Sequence, residues 1–451
     1  MPRTPTRFYR TLAAGLTVMV VAACTEEADP ARVTAPQRPA FATSACTLGM
    51  SDVQARTLID DLLVAVNALE ASGTINSGQA SALRNHLQNA LAAIGTGNYC
   101  SAQAKLQAFR QQVGNFVTDG VLTPEEAQPL VDDVTGVLSG QLLFQTTRDG
   151  NAEIYLMNAD GTGLVNLTEN AAPDYGGNWS PNGRRIVFMT ERSGGDIEIG
   201  VMNPDGSGQT LLTSNSARDE SPIWSPDGTR ILFHTDRDGQ FEVYVINPDG
   251  TGLTNLTNNV GADVGAVWSP NGTRIAFTSV RDGNREVYVM NADGTDQTRL
   301  TNDPGNDDQP LWSPDGTKIV FASEKSGARE VWVMNADGTG QTKLTSGNRV
   351  LNPFPVWSPD GSRIAFTSGR TGDAEIFVMN PNGTGQTNLT TTLGFDDTPT
   401  WSRDGKRIAF QSFRDGNFEE YVVNADGSGQ ANLTNNPASD LIIYRVQAWR
   451  P

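Results

Sequence analysis

A tryptophan recurs at a nearly constant interval along the last two-thirds of this chain, and no other sequence feature constrains the fold as strongly. The interval is 44 or 45 residues between Trp179, Trp224, Trp268, Trp312, Trp357 and Trp401. A repeat of this length is one supersecondary unit that cannot bury its apolar faces alone, so neighbouring units have to stack. The chain from Gln141 onward is therefore predicted to be an array of packed repeats.

Each repeat is predicted to hold four short strands. In the unit that begins WSPNGTRIAFTSVRDGN, Trp268–Asn284, a Ser-Pro turn joins the Trp strand to a strand that contains Phe277. A strand of the EVYVMN type follows, and a turn of the NADGTG type leads to a short strand ending in Leu-Thr. Proline presets the backbone of such turns, and glycine tolerates positive φ. Four strands at this period are typical of a β-propeller blade.

The blade count predicts a closed ring of seven. Six complete units follow Leu142–Thr168, a unit that lacks its Trp strand. The missing strand is present in the C-terminal RVQAWRP, where Trp449 would pair with Leu142–Thr147 and leave no free sheet edge. Because Trp449 follows its Leu-Thr pair by 15 residues where the other units need 11 or 12, six blades with frayed ends is the alternative.

The segment before the repeats is predicted to be helical. Its apolar residues fall at helical spacing in four stretches with short connections: one from Ser51 that Gly73 ends, then about Ser77–Ile94, Ser101–Thr118 and Thr123–Leu138. Short connections between four helices predict an antiparallel four-helix bundle, assigned to residues 46–139. The propeller is assigned to residues 140–451.

The amino terminus has the pattern of an export signal. Three arginines precede an apolar run, Leu12–Ala23, that is too short to span a bilayer. Val21-Ala22-Ala23-Cys24 resembles a bacterial lipobox, in which cleavage precedes the cysteine and the thiol is lipidated. We therefore expect a lipoprotein signal peptide at 1–23 and an extended tether at 24–45, anchored to a membrane through Cys24. An ordinary signal peptide cut elsewhere is the alternative.

Two cysteines remain if Cys24 carries lipid. Cys46 and Cys100 are an even pair in an exported, oxidising setting, so we predict that they form one disulfide near the end of the helical segment. The two histidines, His86 and His234, are not at zinc-like spacing from a cysteine, so no metal site is expected from these residues.

The net charge limits the class of partner. The formal charge is −18, and removal of the three leader arginines makes it −21. Such an acidic surface repels phosphate backbones, which argues against nucleic acid as a partner and favours solubility and cations or basic partners.

Two segments resemble known families. The WSPDG and NADGTG repeats resemble those of TolB-type, WD40-like propellers, which implies a periplasmic protein with binding partners. TolB itself has an α/β amino-terminal domain and six blades, so membership of the Tol-Pal system does not follow. The segment with SGTINSGQASALRNHLQNALAAI and DGVLTPEEAQPL resembles the FIMAH domain, which implies an extracellular accessory module without known chemistry.

Comparison of the repeats with one another reveals three series of mostly charged residues. Five residues before each tryptophan stand Asp174, Asp219, Asp263, Asp307, Asn352, Asp396 and Tyr444. After each Phe strand stand Arg148, Arg192, Arg237, Arg281, Lys325, Arg370 and Arg414, and a glutamate opens each third strand. Because neighbouring strands alternate in direction, all three series are expected around one mouth of the central channel.

Two interpretations of these series stay open. Charges repeated in every blade favour ion pairs that hold the loops in register, since binding sites on repeat folds usually arise where blades differ. Alternatively, unpaired aspartates converge on the axis and bind a basic peptide or a cation, for which oxygen ligands suit Ca²⁺. No other cofactor is expected.

No catalytic constellation is recognisable in the sequence. There is no Gly-x-Ser-x-Gly elbow, Walker loop or dinucleotide fingerprint, and His234 has no evident nucleophile. The sequence therefore predicts a non-catalytic, monomeric, lipid-anchored envelope protein that binds another protein or a peptide. The alternatives are a small-ligand or Ca²⁺-binding module and a glycan- or peptide-acting enzyme.

Overall fold

The computed structural model describes residues 52–138, 140–159, 161, 163–347, 353–441 and 449–450. The predicted signal, tether, lipidation site Cys24, Cys46 and Asn352 lie outside these residues. The side chain of Cys100 is also outside the description, so the predicted disulfide stays a prediction. None of the described helices is both long enough and apolar enough to cross a bilayer.

Among the described residues, four helices precede the repeats and share one hydrophobic core. They are α1 (Asp52–Ala71), α2 (Ser77–Gly95), α3 (Tyr99–Thr118) and α4 (Pro124–Leu138). Ile59, Leu87, Phe109 and Val134, one from each helix, are completely buried in that core. Helix α4 begins with a capping box, because the Thr123 hydroxyl accepts from the Glu126 amide and the Glu126 carboxylate accepts from the Thr123 amide.

The repeats form a seven-bladed β-propeller in which every blade is a four-stranded antiparallel sheet. Blade 1 holds β1 (Gln141–Thr146), β2 (Glu153–Asn158), β3 (Val165–Asn166) and β28 (Asp440–Leu441); blade 2 holds β4 (Asp174–Trp179), β5 (Ile186–Thr190), β6 (Glu198–Met202) and β7 (Thr210–Leu211); blade 3 holds β8 (Asp219–Trp224), β9 (Ile231–Thr235), β10 (Glu242–Ile246) and β11 (Thr254–Asn255). Blade 4 holds β12 (Asp263–Trp268), β13 (Arg274–Ser279), β14 (Glu286–Asn291) and β15 (Thr298–Arg299); blade 5 holds β16 (Asp307–Trp312), β17 (Lys318–Ser323), β18 (Glu330–Asn335) and β19 (Thr342–Lys343). Blade 6 holds β20 (Val356–Trp357), β21 (Ile364–Ser368), β22 (Glu375–Met379) and β23 (Thr387–Asn388); blade 7 holds β24 (Asp396–Trp401), β25 (Arg407–Ser412), β26 (Glu419–Asn424) and β27 (Ala431–Asn432).

The predicted closure of the ring is confirmed, and the six-bladed alternative is wrong. Strand β28 pairs with β1 through Thr146 and Asp440, and Trp449 forms an antiparallel bridge with Leu142. Trp449 is only 2% exposed, and its indole donates to the Thr400 carbonyl of blade 7 at 3.3 Å. Blade 1 is thus assembled from both ends of the repeat region, which leaves it without an unpaired inner edge.

Aromatic and aliphatic residues at fixed strand positions pack each blade against the next. One cluster joins Leu232 and Val243 of blade 3 to Trp268 and Phe277 of blade 4, and similar clusters fill the other junctions. The Trp and Phe series therefore belong to the core, as the repeat predicts.

Arginines reinforce the junctions between blades. The guanidinium of Arg230 lies 4.7 Å from the ring of Trp268 and donates to the Ala292 carbonyl of the same following blade at 3.1 Å. The same stacking contact recurs between Arg274 and Trp312, Arg363 and Trp401, and Arg407 and Trp449. The last pair joins blade 7 to blade 1, so the closing junction has the chemistry of the internal ones.

The Trp strands lie nearest the axis, and several carry a bulge that the sequence analysis did not anticipate. Pairing shifts register between Asp308 and Leu311 and between Asp397 and Thr400. Gln309 and Thr398, inside these bulges, have φ of 57° and 52°. The irregular backbone turns these residues toward the central channel, where both line a cavity.

Candidate functional site

All five of the predicted aspartates are completely buried, and four of them form an ion pair with the predicted arginine of their own blade. The N–O distances are 2.7 Å for Asp174 with Arg192, 2.9 Å for Asp219 with Arg237, 2.9 Å for Asp263 with Arg281, and 2.7 Å for Asp396 with Arg414. A buried carboxylate without a cation is strongly destabilising, so each arginine is required by its aspartate. In the described structure these four carboxylates are therefore occupied by ion pairs within their own blades.

Blade 1 has an equivalent pair that the sequence analysis missed. Arg148 lies 3.2 Å from Asp440, and Asp440 is fully buried. Counting back five residues from Trp449 reached Tyr444, which lies outside the described residues. Counting six residues forward from the Leu-Thr pair, as from Thr168 to Asp174, would have found Asp440.

The ring arginines are fixed by several contacts besides the carboxylate. Arg281 donates from Nε to the Ser279 hydroxyl at 2.8 Å, and its guanidinium lies 4.6 Å from the ring of Tyr288. Asp263 also accepts from the side-chain amide of Asn259. A planar guanidinium held between a carboxylate, a hydroxyl and an aromatic ring has little freedom to turn toward a ligand.

The glutamates that open the third strands belong to the same network. Glu242 accepts from the hydroxyl of Thr257, from the side-chain amide of Gln240 at 3.0 Å and from the backbone amide of Asn259 at 3.0 Å. The Thr257 hydroxyl in turn accepts from the Val243 amide at 3.0 Å. The Leu-Thr motif therefore ties the outer strand to the third strand, and the glutamate ties both to the following loop.

Blade 5 departs from this pattern at two positions. Lys325 replaces the arginine, and its amine contacts Gln341 at 2.7 Å and the ring of Trp332 at 4.7 Å. Asp303 stands where blade 4 has Asn259, the amide donor to the ring aspartate. Consequently Asp307, which is fully buried, forms no ion pair with any residue that the structure describes.

The environment of Asp307 favours its protonated form. Burial, together with the neighbouring carboxylates of Asp303 and Glu286, raises the pKa of Asp307 to about 7. This carboxyl can therefore change its charge near neutral pH.

Blade 6 has the opposite departure from the pattern: its arginine, rather than its carboxyl, is without an ion pair among the described residues. Arg370 donates to the Ser368 hydroxyl at 2.8 Å and to Gln386, and stacks on the ring of Phe377 at 4.9 Å. Its expected partner position, Asn352, falls outside the described residues. Within the part that is described, Arg370 forms no ion pair with a carboxylate.

Blade 7 carries an exposed aromatic patch on the same side as the aspartates. The patch consists of Leu393, Phe395, Phe413 and Phe418, and Leu393 is 88% exposed while Phe395 and Phe413 are 43% and 45% exposed. The ring of Phe418 lies 6.4 Å from Phe395 and 5.1 Å from Phe413. Phe395 and Phe413 directly precede Asp396 and Arg414, which places them at the predicted mouth.

His234 is not part of a catalytic arrangement in the described residues. Its Nε2 lies 3.5 Å from a Glu220 oxygen, and its ring meets Phe241 edge-on at 5.1 Å. A His–Glu contact against an aromatic ring supplies a base without a nucleophile to activate. Over the described ranges, no group of three or more His, Cys, Asp or Glu is arranged to hold a metal ion.

Known proteins share both the sequence motifs and the fold of this chain. The TolB beta propeller domain matches residues 251–353 and 338–441, and the FIMAH domain matches residues 59–139. The Tol-Pal system protein TolB of Geobacter sulfurreducens is 41% identical over 51 residues, which are 11% of this chain and 12% of that protein. The chain thus matches about an eighth of that relative.

Solved structures extend the likeness in fold. An oligogalacturonate lyase from Vibrio parahaemolyticus has a TM-score of 0.53 at 16% identity, over 62% of this chain and 85% of its own. A puromycin-hydrolyzing peptidase of Mycobacterium tuberculosis has a TM-score of 0.54 at 15% identity, over 63% of this chain and 50% of its own. Identities this low show the fold alone. The chain thus combines a helical segment that matches the FIMAH domain with a seven-bladed β-propeller, part of which matches the TolB beta propeller domain.

Proposed function

We propose that this protein is a monomeric cell-envelope scaffold whose propeller binds another protein or a peptide. Its resemblance to a Tol-Pal system protein supports an envelope role. The observation that carries the proposal is the blade 7 aromatic patch at the mouth of a ring whose repeated charges are mostly paired internally.

The blade 7 aromatic patch has the properties of a binding surface. Aromatic side chains dominate the energetics of protein interfaces, and a soluble protein gains nothing from exposing several of them together. The corresponding positions in blade 3 are Arg218 and Asp236, and in blade 2 Pro173 and Glu191. The patch is therefore a deviation among blades, which is how a repeat fold acquires a specific site.

Crosslinking in intact cells tests this proposal. The double variant Phe395→Ser with Phe413→Ser is expected to lose a discrete crosslinked adduct that the wild-type protein forms. Val260→Ser is the matched control, because Val260 is 92% exposed in the equivalent loop of blade 4 and is not part of an aromatic cluster. An adduct pattern that survives the double variant, or that Val260→Ser abolishes equally, contradicts the proposal.

The anchoring follows from the amino-terminal sequence. We propose a signal peptide at 1–23, lipidation of Cys24, a tether at 24–45, an antiparallel four-helix bundle at 46–139 stapled by Cys46 and Cys100, and a propeller at 140–451. Cys24→Ser is expected to move the protein from the membrane pellet to the soluble fraction. Recovery of that variant in the pellet at the wild-type level would refute lipid anchoring.

A second candidate function is Ca²⁺ or small-ligand binding at the predicted ring. The carboxyl of Asp307, which forms no ion pair with the described residues, supports it, because carboxylate oxygens are hard ligands. Asp303 lies nearby in sequence, and its carboxylate is 3.8 Å from the Lys325 amine. Calorimetric titration with Ca²⁺ should give heat that disappears in Asp307→Ala. Equal heat in that variant would exclude this position.

A further inference from the structure

The propeller encloses a central cavity of about 500 Å³ at the end opposite the aspartates. Its wall consists mainly of indole rings from the Trp strands, including Trp268, Trp312 and Trp357, and of prolines from the Ser-Pro turns. A volume of this size and an apolar lining are usual for a site that takes a small organic ligand.

The Ser-Pro turns form an apolar ring around this cavity in five successive blades. The prolines are Pro181, Pro226, Pro270, Pro314 and Pro359. Each proline faces the turn glycine of the next blade; a side chain added at Gly361, for example, would lie 3.5 Å from the ring of Pro314. The ring is thus built from the most regular part of the repeat.

Blade 7 interrupts the ring with a cation. The turn there reads SRDG, so Arg403 stands at the proline position. Blade 1 takes its Trp strand and its second strand from different parts of the chain, so no Ser-Pro turn joins these two strands. Blade 1 therefore has no turn glycine against which a proline of blade 7 could pack. The packing reason for a proline is therefore missing at position 403.

The guanidinium of Arg403 lines the cavity without an anionic partner. It forms no ion pair with the residues that the structure describes, and Nη2 is buried without a hydrogen-bond acceptor. Burial lowers the pKa of Arg403 to about 10, which still leaves it charged at neutral pH. A desolvated arginine facing an apolar space is stabilised by a bound oxyanion.

A second polar group faces the same space. Thr398 lies in the bulge of β24 with φ of 52°, and its hydroxyl is buried without a partner among the described residues. The neighbouring carboxylate of Asp397 accepts from the Thr367 hydroxyl at 2.7 Å and from the Thr398 amide at 2.7 Å, and forms no ion pair with Arg403. The lining of the cavity therefore includes the unsatisfied donors of Arg403 and Thr398 beside a largely apolar wall.

We propose that this cavity binds a small organic carboxylate, with the anion on Arg403 and Thr398 and the apolar body against the indole and proline rings. This site is separate from the blade 7 aromatic patch and does not depend on the scaffold function. Recognition combines one charge-assisted contact with burial of apolar surface, so both parts of the ligand are required.

Tryptophan fluorescence of the full chain tests the proposal, because the indoles line the site. Octanoate is the probe, and octanamide is its uncharged analogue of the same shape. We expect a saturable signal with octanoate, at least ten-fold weaker binding of octanamide, and at least ten-fold weaker octanoate binding by Arg403→Pro. That variant restores the Ser-Pro turn that five other blades have, so it should fold. Lys406→Gln, an exposed change in the same turn, is the matched control and should bind as wild type.

Thr398→Val should weaken octanoate binding by a smaller factor, because it removes a neutral donor. The proposal is overturned if octanoate gives no saturable signal at millimolar concentration, if octanamide binds as well as octanoate, or if Arg403→Pro binds octanoate as tightly as Lys406→Gln. The Tm of Arg403→Pro separates loss of the site from loss of the fold, because a variant that keeps the wild-type Tm but loses octanoate binding has lost only the site.

Discussion

At the scale of single residues, the same buried ion pair recurs between the first and second strands of the blades. A fully buried aspartate, such as Asp219 or Asp263, pairs with an arginine that is itself packed on aromatic rings. Such pairs add little net stability over an apolar replacement, but loss of one partner leaves an uncompensated charge. The pairs therefore specify how the loops meet more than they stabilise the fold.

Removal of one ring arginine should be strongly destabilising. Arg237→Met leaves Asp219 buried without its cation and is expected to cost about 3–5 kcal/mol of unfolding free energy. Arg184→Met is the control, because Arg184 and its partner Asp61 are 49% and 44% exposed and such pairs contribute about 0–1 kcal/mol. Urea unfolding measures both. Equal midpoint shifts would mean that the ring pairs are not structural.

Asp307 should make stability depend on pH in a definite direction. Its pKa is about 7 in the folded protein and 3.8 ordinarily, so the folded state binds the proton more tightly. Stability from this group is therefore present at low pH, falls as the pH rises from about 4 to 7, and stays low above that.

Restoration of the repeat pattern in blade 5 should remove this dependence. Asp303→Asn deletes a like charge and supplies the amide that Asn259 provides in blade 4, so it should lower the pKa of Asp307. We expect the variant to gain about 1 kcal/mol at pH 8 and less at pH 5, measured by urea unfolding at both values. Asp205→Asn, in an exposed turn where blade 6 has Asn382, should leave the difference between the two pH values unchanged. A gain of equal size at both pH values would assign the effect to another cause.

At the scale of elements, the strand that closes blade 1 decides whether the array is a ring. Its pairing partner β1 begins only three residues after α4 ends, and the indole of Trp449 fills the space between blades 7 and 1. Closure makes each junction depend on a neighbour on both sides, which removes the end effects of an open repeat array.

Two tryptophan variants separate core loss from ring opening. Trp449→Ala and Trp401→Ala each remove one buried indole and should each cost about 3–5 kcal/mol. Only Trp449→Ala should accelerate hydrogen exchange in β1, because it frees the seam where the two ends meet. Equal exchange of β1 in both variants would show that the seam is held by β28 alone.

The sequence predicted the elements better than the contacts among their side chains. The tryptophan period and the Leu142–Thr168 fragment sufficed for seven blades, since strand period and turn chemistry are local properties. Asp440 was missed because the count began at Trp449, across a segment longer than in other blades. Arg403 was missed because the sequence SRDG differs from the SPDG turns at one position only. The significance of that position became visible when the structure showed that it faces the cavity.

At the scale of the whole molecule, the helical segment and the propeller have separate hydrophobic cores. All residues of the helical core come from the first of these segments, and each propeller cluster draws only on the repeats. Two cores joined by a short connection predict two unfolding units.

A single substitution in the helical core should therefore abolish one of the two thermal unfolding transitions. Ile59→Asp places a charge in the helical core and should remove the helical transition in calorimetry, while the propeller transition keeps its Tm within about 2 °C. Val64→Asp, on the same helix at a position that is 66% exposed, should leave both transitions in place. A joint loss of both transitions in Ile59→Asp would show that the two segments unfold as one unit.

The arginine–tryptophan contact at the junctions also bears on how such a molecule changes through evolution. Because Arg407 meets Trp449 in the manner that Arg230 meets Trp268, four of the described joints present the same two faces. A duplicated or deleted copy of one repeat would find compatible surfaces at those joints. Ring circumference can then vary among descendants by whole copies, without invention of a new joint.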